Sequence, residues 1–254
     1  MGMKTNRTIL FIIFNICMII VSCSKDTNHD GTIVYRFDEN GVSTALFSVS
    51  DTRQIHFSCG NLQYQESDNS WHFAEHQFDF IGIENVNGSK KDLFKWTTSD
   101  WGNNSITNGG NQAGLWRTLT LSEWKYLLGN STSRKGKNGI ANVCGIHGLI
   151  ILPDNWVPSE NVCFVSNPSG WNQNKYNSSE WEKMELSGAI FLPSGGKQDG
   201  DNITNIGIAG LYWPSPTNSE DGNSVVSFDE TGVWIVENML NYSGEGYSVR
   251  LVKD

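Results

Sequence analysis

The chain has 254 residues and a formal net charge of −9, from 18 basic and 27 acidic side chains. No block of lysine or arginine could follow a phosphate backbone, which argues against a nucleic-acid partner. Glycine (26 residues) and tryptophan (10 residues) are frequent, a mixture typical of a loop-rich exported domain with one sizeable core.

Residues 1–22 have the layout of an export signal. Lys4 and Arg7 form a basic start, and the mostly apolar run 9–21 ends just before Cys23. That run is short for a stable transmembrane helix. The sequence IVSC resembles the bacterial lipobox, in which the cysteine takes a diacylglycerol and becomes the first residue of the mature protein. We therefore expect lipidation at Cys23, with an ordinary cleaved signal peptide as the alternative.

The rest of the chain is predicted to form a polar tether, residues 23–32, and a single domain, residues 33–254. No second apolar run of membrane length occurs in the sequence. Membrane contact is therefore expected through the lipid anchor only. The expected location is the outer membrane, as a lipoprotein on the cell surface or the periplasmic face.

The cysteines other than Cys23 in the predicted mature chain are Cys59, Cys144 and Cys163. An odd number in an oxidising compartment leaves at most one disulfide among them, and we expect Cys144 to pair with Cys163. None of the three lies in a CxxC motif, so a zinc knuckle is not indicated.

Strands are predicted at both ends of the domain. Alternating or buried apolar patterns mark them at residues 32–37, 45–50, 55–65, 70–82, 148–153, 188–193, 206–213, 224–229, 232–237 and 246–252. Residues 66–69 are the expected turn of a hairpin between 55–65 and 70–82. Residues 88–114 have no helical period and are predicted to be a long loop that is either functional or held by its aromatic residues.

The clearest helix follows Thr120. This residue as N-cap and Glu123 three positions later form a capping box. Trp124, Leu127 and Leu128 share one face, and Gly129 ends the helix. A second capping box, Ser179 with Glu182, predicts a shorter helix that carries Trp181 and Met184. Two helices between groups of short strands indicate an α+β domain.

The ordered motifs IHFSCGNLQYQ, WRTLTLSEWKYLL, GLIILPDNW, GAIFLPSGG, GLYWPSPT and GYSVRLV resemble a group of exported bacterial lipoproteins related to the Fibrobacter major paralogous domain. They are also similar to the formylglycine-generating-enzyme branch of the C-type-lectin-like fold, over roughly residues 47–252. The resemblance implies a C-type-lectin-like domain with short strands, two helices and long irregular loops that present a binding face. It also implies that Glu123 and Trp124 pack into the core.

The resemblance raises an oxidase activity, which the residues argue against. That chemistry needs two copper-binding thiols near the end of the domain, and no cysteine follows Cys163. His72 and His76 are four apart in a strand-like segment without the glutamate of HExxH, and no GxSxG motif occurs. A glycoside-hydrolase carboxylate pair, such as Glu220 with Asp221, is a weak third option. We therefore expect no catalytic residues.

No cofactor is required by this interpretation, although calcium is possible. The segments KQDGDN (197–202) and NSEDGN (218–223) offer carboxylate and amide oxygens on glycine turns, as calcium prefers, while ordinary Asx turns explain them equally well. The metal ligands stay unknown.

The C-terminal loops are the expected ligand face, since they combine aromatic planes with amide and carboxylate groups. The candidate ligand-binding residues are Tyr212, Trp213, Asn218, Glu220, Asp221, Trp234, Asn238 and Tyr242. The alternative for Trp213 and Trp234 is a place in the core.

The sequence thus predicts non-catalytic binding of a glycan, peptide or protein at the cell surface. The alternative is a structural or assembly component of a cell-surface complex, because fold alone does not name a ligand.

Overall fold

The computed structural model describes residues 26–27, 33–87, 89–129, 131–216, 223–239 and 244–254, with the side chains of 26–27, 33–34, 86–87, 223 and 238–239 left out. The predicted signal peptide and Cys23 lie outside these ranges. Asp26–Thr27, inside the predicted tether, pairs with Ile33–Val34 as a short strand. None of the helices in the described ranges has the length and apolar character needed to cross a membrane.

The described residues form a mixed α+β structure with many short strands. The strands in chain order are β1 (Asp26–Thr27), β2 (Ile33–Val34), β3 (Phe47–Ser48), β4 (Gln54–Phe57), β5 (Leu62–Gln65), β6 (Ser70–Phe73), β7 (Lys90–Lys91), β8 (Phe94–Lys95), β9 (Arg117–Thr118), β10 (Asn138–Val143), β11 (Ile146–Ile151), β12 (Lys175–Tyr176), β13 (Ile190–Pro193), β14 (Lys197–Asp199), β15 (Asn202–Thr204), β16 (Gly210–Tyr212), β17 (Asn223–Asp229), β18 (Gly232–Met239), β19 (Glu245–Tyr247) and β20 (Leu251–Lys253). The α-helices are α1 (Leu121–Leu128) and α2 (Ser178–Leu186), and 3-10 turns cover Gly82–Asn87, Trp101–Asn103 and Trp171–Gln173.

These strands pair into small open sheets rather than one continuous sheet. The strand orders are β1-β2, β12-β10-β11-β13, β15-β14-β19-β8, β16-β17-β18, β3-β4-β20-β9 and β6-β5-β7. The predicted hairpin is confirmed for β5 and β6, which are joined by residues 66–69. Residues 54–57 form the separate strand β4, which pairs with β3 and with β20 near the end of the chain.

The sheet β12-β10-β11-β13 is covered by hydrophobic clusters on both faces. Along β11, Leu149 and Ile151 face one hydrophobic cluster with α1, while Ile150 faces a second cluster with α2. A strand buried on both faces needs apolar residues at every position, which explains the uninterrupted runs LIIL and AIFL. Both runs end at the prolines that mark the predicted strand ends, Pro153 and Pro193.

Helix α1 begins and ends where the sequence predicts. Thr120 and Glu123 exchange both hydrogen bonds of the capping box, and Gly129 is the C-cap. Trp124 is fully buried and Glu123 is 5% exposed. The expected core packing of this pair is therefore confirmed. Glu123 keeps its charge there because Arg117 donates to both of its carboxylate oxygens, at 2.8 and 3.0 Å.

The predicted start of α2 is wrong by two residues. The capping box forms between Asn177 and Glu180, not between Ser179 and Glu182. Tyr176 explains the register, because its backbone pairs in β12 and its buried ring belongs to the cluster under α2, so the helix begins directly after it. The helix still buries Trp181 and Met184, as predicted.

The last segment of the chain is buried on both faces. Tyr247, Val249 and Leu251 are at most 1% exposed, and the alternate residues Ser248 and Arg250 are equally buried. The Arg250 guanidinium donates to Gln77 Oε1 at 2.9 Å, and Gln77 Nε2 donates to Glu185 Oε1 at 2.9 Å. Polar positions in this segment thus mark an internal hydrogen-bond network and not a solvent-exposed face.

Other predicted features have mixed outcomes. In the long segment 88–114, β7, β8 and a 3-10 turn form, and Trp101 is only 5% exposed, so this tryptophan does pin the segment.

The expected disulfide is absent from the structure: Cys59, Cys144 and Cys163 are all free thiols. Cys144 is instead a positive-φ residue (52°) in the tight turn between β10 and β11.

Candidate functional site

A cleft of about 500 Å³ opens where three distant parts of the chain meet. Its walls are the end of α1, the start of β10 with the segment 166–168 beside it, and the turn end of the β17–β18 hairpin. The lining residues with side chains suited to recognition are Lys125, Ser166, Asn138, Asn167, Thr231 and Trp234. Such a volume lies within the range of small-molecule and sugar sites, about 300–1,000 Å³.

Asn174 holds the wall formed by residues 166–168. Its side chain is 1% exposed. Its Nδ2 donates to the carbonyls of Val165 (2.8 Å) and Ile140 (2.9 Å), and its Oδ1 accepts from Val165 N–H (2.8 Å). One amide therefore bridges β10 and the segment that leads into the cleft.

The absence of a side chain at Gly139 lets the same two segments approach closely. A Cβ at this position would lie 2.8 Å from the Val165 carbonyl oxygen and 3.1 Å from the Phe164 ring. Only glycine fits this approach without a backbone shift. The position of the wall formed by residues 166–168 is thus set by backbone contacts as well as by Asn174.

The wall on the side of α1 is joined to β10 by Asn138. Its Nδ2 donates to the carbonyl of Leu128 at 3.2 Å. This bond gives a partner to a carbonyl in the last turn of the helix, where no intrahelical N–H is available. Asn138 is half-buried, so a polar side chain lies at the junction between the helix and the sheet.

The opposite wall is the turn of the β17–β18 hairpin. Thr231 donates from its N–H and its hydroxyl to Asp229 Oδ1, both at 2.7 Å, which fixes the turn. Trp234 follows on β18, opposite Ser227 in the register. It is 42% exposed, and its ring lies 3.5 Å from the position that a Cβ on Gly232 would take. A large aromatic surface is therefore presented beside the cleft.

The cleft has a distinct charge pattern. Lys125 is the one charged residue among the described residues that line it. Its Nζ lies 2.8 Å from Glu237 Oε1, and the two side chains are 47% and 44% exposed. Both groups are thus half in water, and the pair joins α1 to β18.

Two of the predicted ligand-binding residues are in the core, which corrects the prediction. Tyr212 is fully buried, its hydroxyl donates to the Pro193 carbonyl and accepts from Asn61 Nδ2, both at 2.9 Å, and burial raises the pKa of the phenol. Trp213 is also fully buried and donates from Nε1 to the Phe94 carbonyl at 2.7 Å. Neither ring can meet a ligand at the surface, and the core alternative for Trp213 is confirmed.

The alternative that placed Trp234 in the core is wrong, because this residue lies on β18 and stays exposed. Asn238 is part of β18, with a side chain outside the described set. The remaining candidates, Asn218, Glu220, Asp221 and Tyr242, also lie outside the described residues.

Sequence reasoning missed Lys125, Asn138 and Asn167. These residues are far apart in the chain and belong to no motif. The available signals were local: Lys125 is on the exposed face of an otherwise well-predicted helix, and Asn167 precedes a proline in a segment without periodicity.

The possible calcium turns have different outcomes. Residues 197–202 lie in the tight β14–β15 hairpin, and Lys197 Nζ lies 2.5 Å from Glu245 Oε1 on the neighbouring strand β19. Residues 218–222 lie outside the described residues. In the part of the chain that the structure describes, no three His, Cys, Asp or Glu side chains are grouped closely enough to hold a metal. Calcium binding stays a prediction.

Among the described residues, two carboxyl groups have raised pKa values, and both lie outside the cleft. Burial raises the pKa of Asp92 to about 6, against hydrogen bonds from Ile81 N–H and Asn85. Burial also raises the pKa of Glu185, which lines a smaller cleft of about 360 Å³ beside Tyr35 and accepts from Gln77. Both acids are engaged in internal hydrogen bonds.

No family model, curated protein or solved structure matches this chain.

Proposed function

We propose that this chain is a membrane-anchored exported lipoprotein whose domain binds a glycan, without catalysis, in the cleft beside Trp234. The observation that carries the proposal is the 42% exposure of this indole on a cleft of about 500 Å³. An exposed indole offers a large apolar area that a ligand can cover, and an indole beside polar groups is a common recognition surface.

The chemistry of a sugar suits this site. The C–H face of a pyranose ring is apolar and can stack on the indole, while its hydroxyls need both donors and acceptors. Asn138 and Asn167 supply amide donors and acceptors, and Ser166 and Thr231 supply hydroxyls. Hydrogen bonds from Asn174, Asn138 and Thr231 hold the backbone of the walls, which limits the conformational entropy that the backbone loses on binding.

The finer fold assignment, a C-type-lectin-like domain, belongs to the same proposal. It is supported by the ordered motifs, by the short strands joined by long segments, and by the buried Glu123–Trp124 pair. The lipid anchor is supported by the IVSC sequence ending at Cys23.

A second candidate is a permanent structural partner in a surface complex. It is favoured by one observation: Trp234 and Val236 alternate along β18, which is an edge strand, and both are 42% exposed. An apolar edge of this kind can dock a protein. Chemical crosslinking in intact cells tests this role, and a partner crosslinked in stoichiometric yield that is lost in Val236→Asp would favour it.

The test of the glycan proposal is binding of the full chain, in detergent, to a broad glycan array. Trp234→Ala should weaken binding roughly tenfold or more, because lost aromatic contact is worth about 1.4 kcal/mol or more. Val157→Ala, at a 68% exposed apolar site away from the cleft, is the matched control and should bind normally. Silence across the array, or equal binding by Trp234→Ala, would refute the proposal.

A further inference from the structure

The charge at the cleft points to one class of glycan. The chain as a whole is acidic, with a formal net charge of −9, yet the one charged residue among the described lining residues is a lysine. A neutral sugar would need no cation there. The net charge of the protein disfavours a negatively charged sugar, and a cation at the site offsets this repulsion locally.

Lys125 is already placed to hold a carboxylate. Its Nζ contacts a carboxylate oxygen of Glu237 at 2.8 Å, a normal distance for a charge-assisted hydrogen bond. The ammonium therefore accepts a carboxylate in this position without a change of rotamer. An ammonium has three donors, so a second carboxylate can share it or replace the first.

The existing pair is weak enough to be exchanged. The Lys125 and Glu237 side chains are 47% and 44% exposed. Ion pairs with this degree of exposure contribute little to stability, since solvent screens them. A ligand carboxylate that is also positioned by contacts with Trp234 and the cleft amides can displace the half-exposed Glu237 side chain.

We propose that the cleft selects glycans that carry a carboxylate, such as uronic acids, and that Lys125 binds this carboxylate in competition with Glu237. This inference rests on the proposed glycan-binding function. It assigns opposite effects to two neighbouring residues: Lys125 favours the ligand, and Glu237 opposes it by occupying the lysine and by its own negative charge.

The experiment measures the affinity of the full chain for oligomers of galacturonate, glucuronate and mannuronate, each beside its carboxyl-reduced counterpart. For the bound uronate, Lys125→Gln should weaken binding about tenfold, as loss of one hydrogen bond to a charged group predicts. Glu237→Gln should strengthen it about threefold, as release of a weak surface pair predicts. Lys183→Gln, which removes an exposed charge on α2, is the control for net charge and should change little.

The outcomes separate the inference from the function on which it rests. Binding of a uronate in preference to its reduced form, with opposite shifts in the two variants, supports the inference. Equal binding of acidic and reduced oligomers that depends on Trp234 but not on Lys125 overturns the inference and leaves the function standing. Binding of neither form overturns both.

Discussion

Replacement of Asn174 by alanine should lower the free energy of unfolding, because Asn174 holds one wall of the cleft. The change removes three hydrogen bonds of 2.8–2.9 Å that join Asn174 to Ile140 and Val165. A buried hydrogen bond contributes about 1 kcal/mol net, and backbone groups left without partners add to the loss, so we expect about 3 kcal/mol. A domain with typical stability, about 5–15 kcal/mol, would remain folded.

The assay is equilibrium unfolding of the full chain in guanidinium chloride, followed by tryptophan fluorescence. Asn172→Ala is the matched control two residues away, because that side chain is exposed and has only a 3.5 Å contact with Asn142. Its effect should stay within about 0.5 kcal/mol. Glycan binding should also weaken in Asn174→Ala, since Ser166 and Asn167 lose their support. A cost below about 1 kcal/mol would refute the reasoning.

Two predictions concern pH and use the same unfolding assay between pH 3 and pH 7. Burial alone would raise the pKa of Glu123, but hydrogen bonds from Arg117 and the Thr120 backbone lower it below its ordinary 4.5. Glu123 therefore contributes to stability above pH 4.5, and this contribution is lost as the pH falls through its lowered pKa. Glu123→Gln should flatten this acid-side decline, and an unchanged profile would contradict the role of the ion pair. Asp92 makes stability depend on pH in the opposite direction, because burial raises its pKa from 3.8 to about 6. The free energy of unfolding should therefore decline by up to about 3 kcal/mol as the pH rises from 3.8 to 6. Asp92→Asn should remove this decline, and its persistence in the variant would count against Asp92 as the source.

Features set by local sequence were predicted accurately. The Thr120–Glu123 capping box depends on residues three apart, and the structure has both of its hydrogen bonds. The second helix was harder, because Asn177–Glu180 and Ser179–Glu182 are overlapping capping signals of similar quality. The contacts of Tyr176 with distant strands decide between them, and such contacts are not visible in a local pattern.

The burial of some polar residues cannot be inferred from the sequence pattern. Arg250 alternates with apolar residues, a pattern typical of a half-exposed strand, yet it is fully buried. Its guanidinium is accommodated because Gln77, from a segment 173 residues away, accepts its hydrogen bond at 2.9 Å. The free energy of a buried polar group depends on such partners, and the sequence does not identify them.

The candidate site was predicted only in part. Trp234 is exposed, whereas Tyr212 and Trp213, which were assigned to the same surface, are buried. The period of a strand does not reveal which face another element covers. The partners of Trp234 across the cleft, Lys125 and Asn138, come from α1 and β10, and only the tertiary fold brings them together.

The most direct test of the account follows the Trp234 ring itself during ligand binding. The full chain labelled with 5-fluorotryptophan gives a ¹⁹F NMR spectrum in which the Trp234 resonance is the one lost in Trp234→Phe. Titration with the tightest-binding glycan of the array should shift that resonance most, at the same concentration at which binding saturates. A saturating glycan that leaves the Trp234 resonance unchanged while another tryptophan responds would contradict a binding site at this cleft.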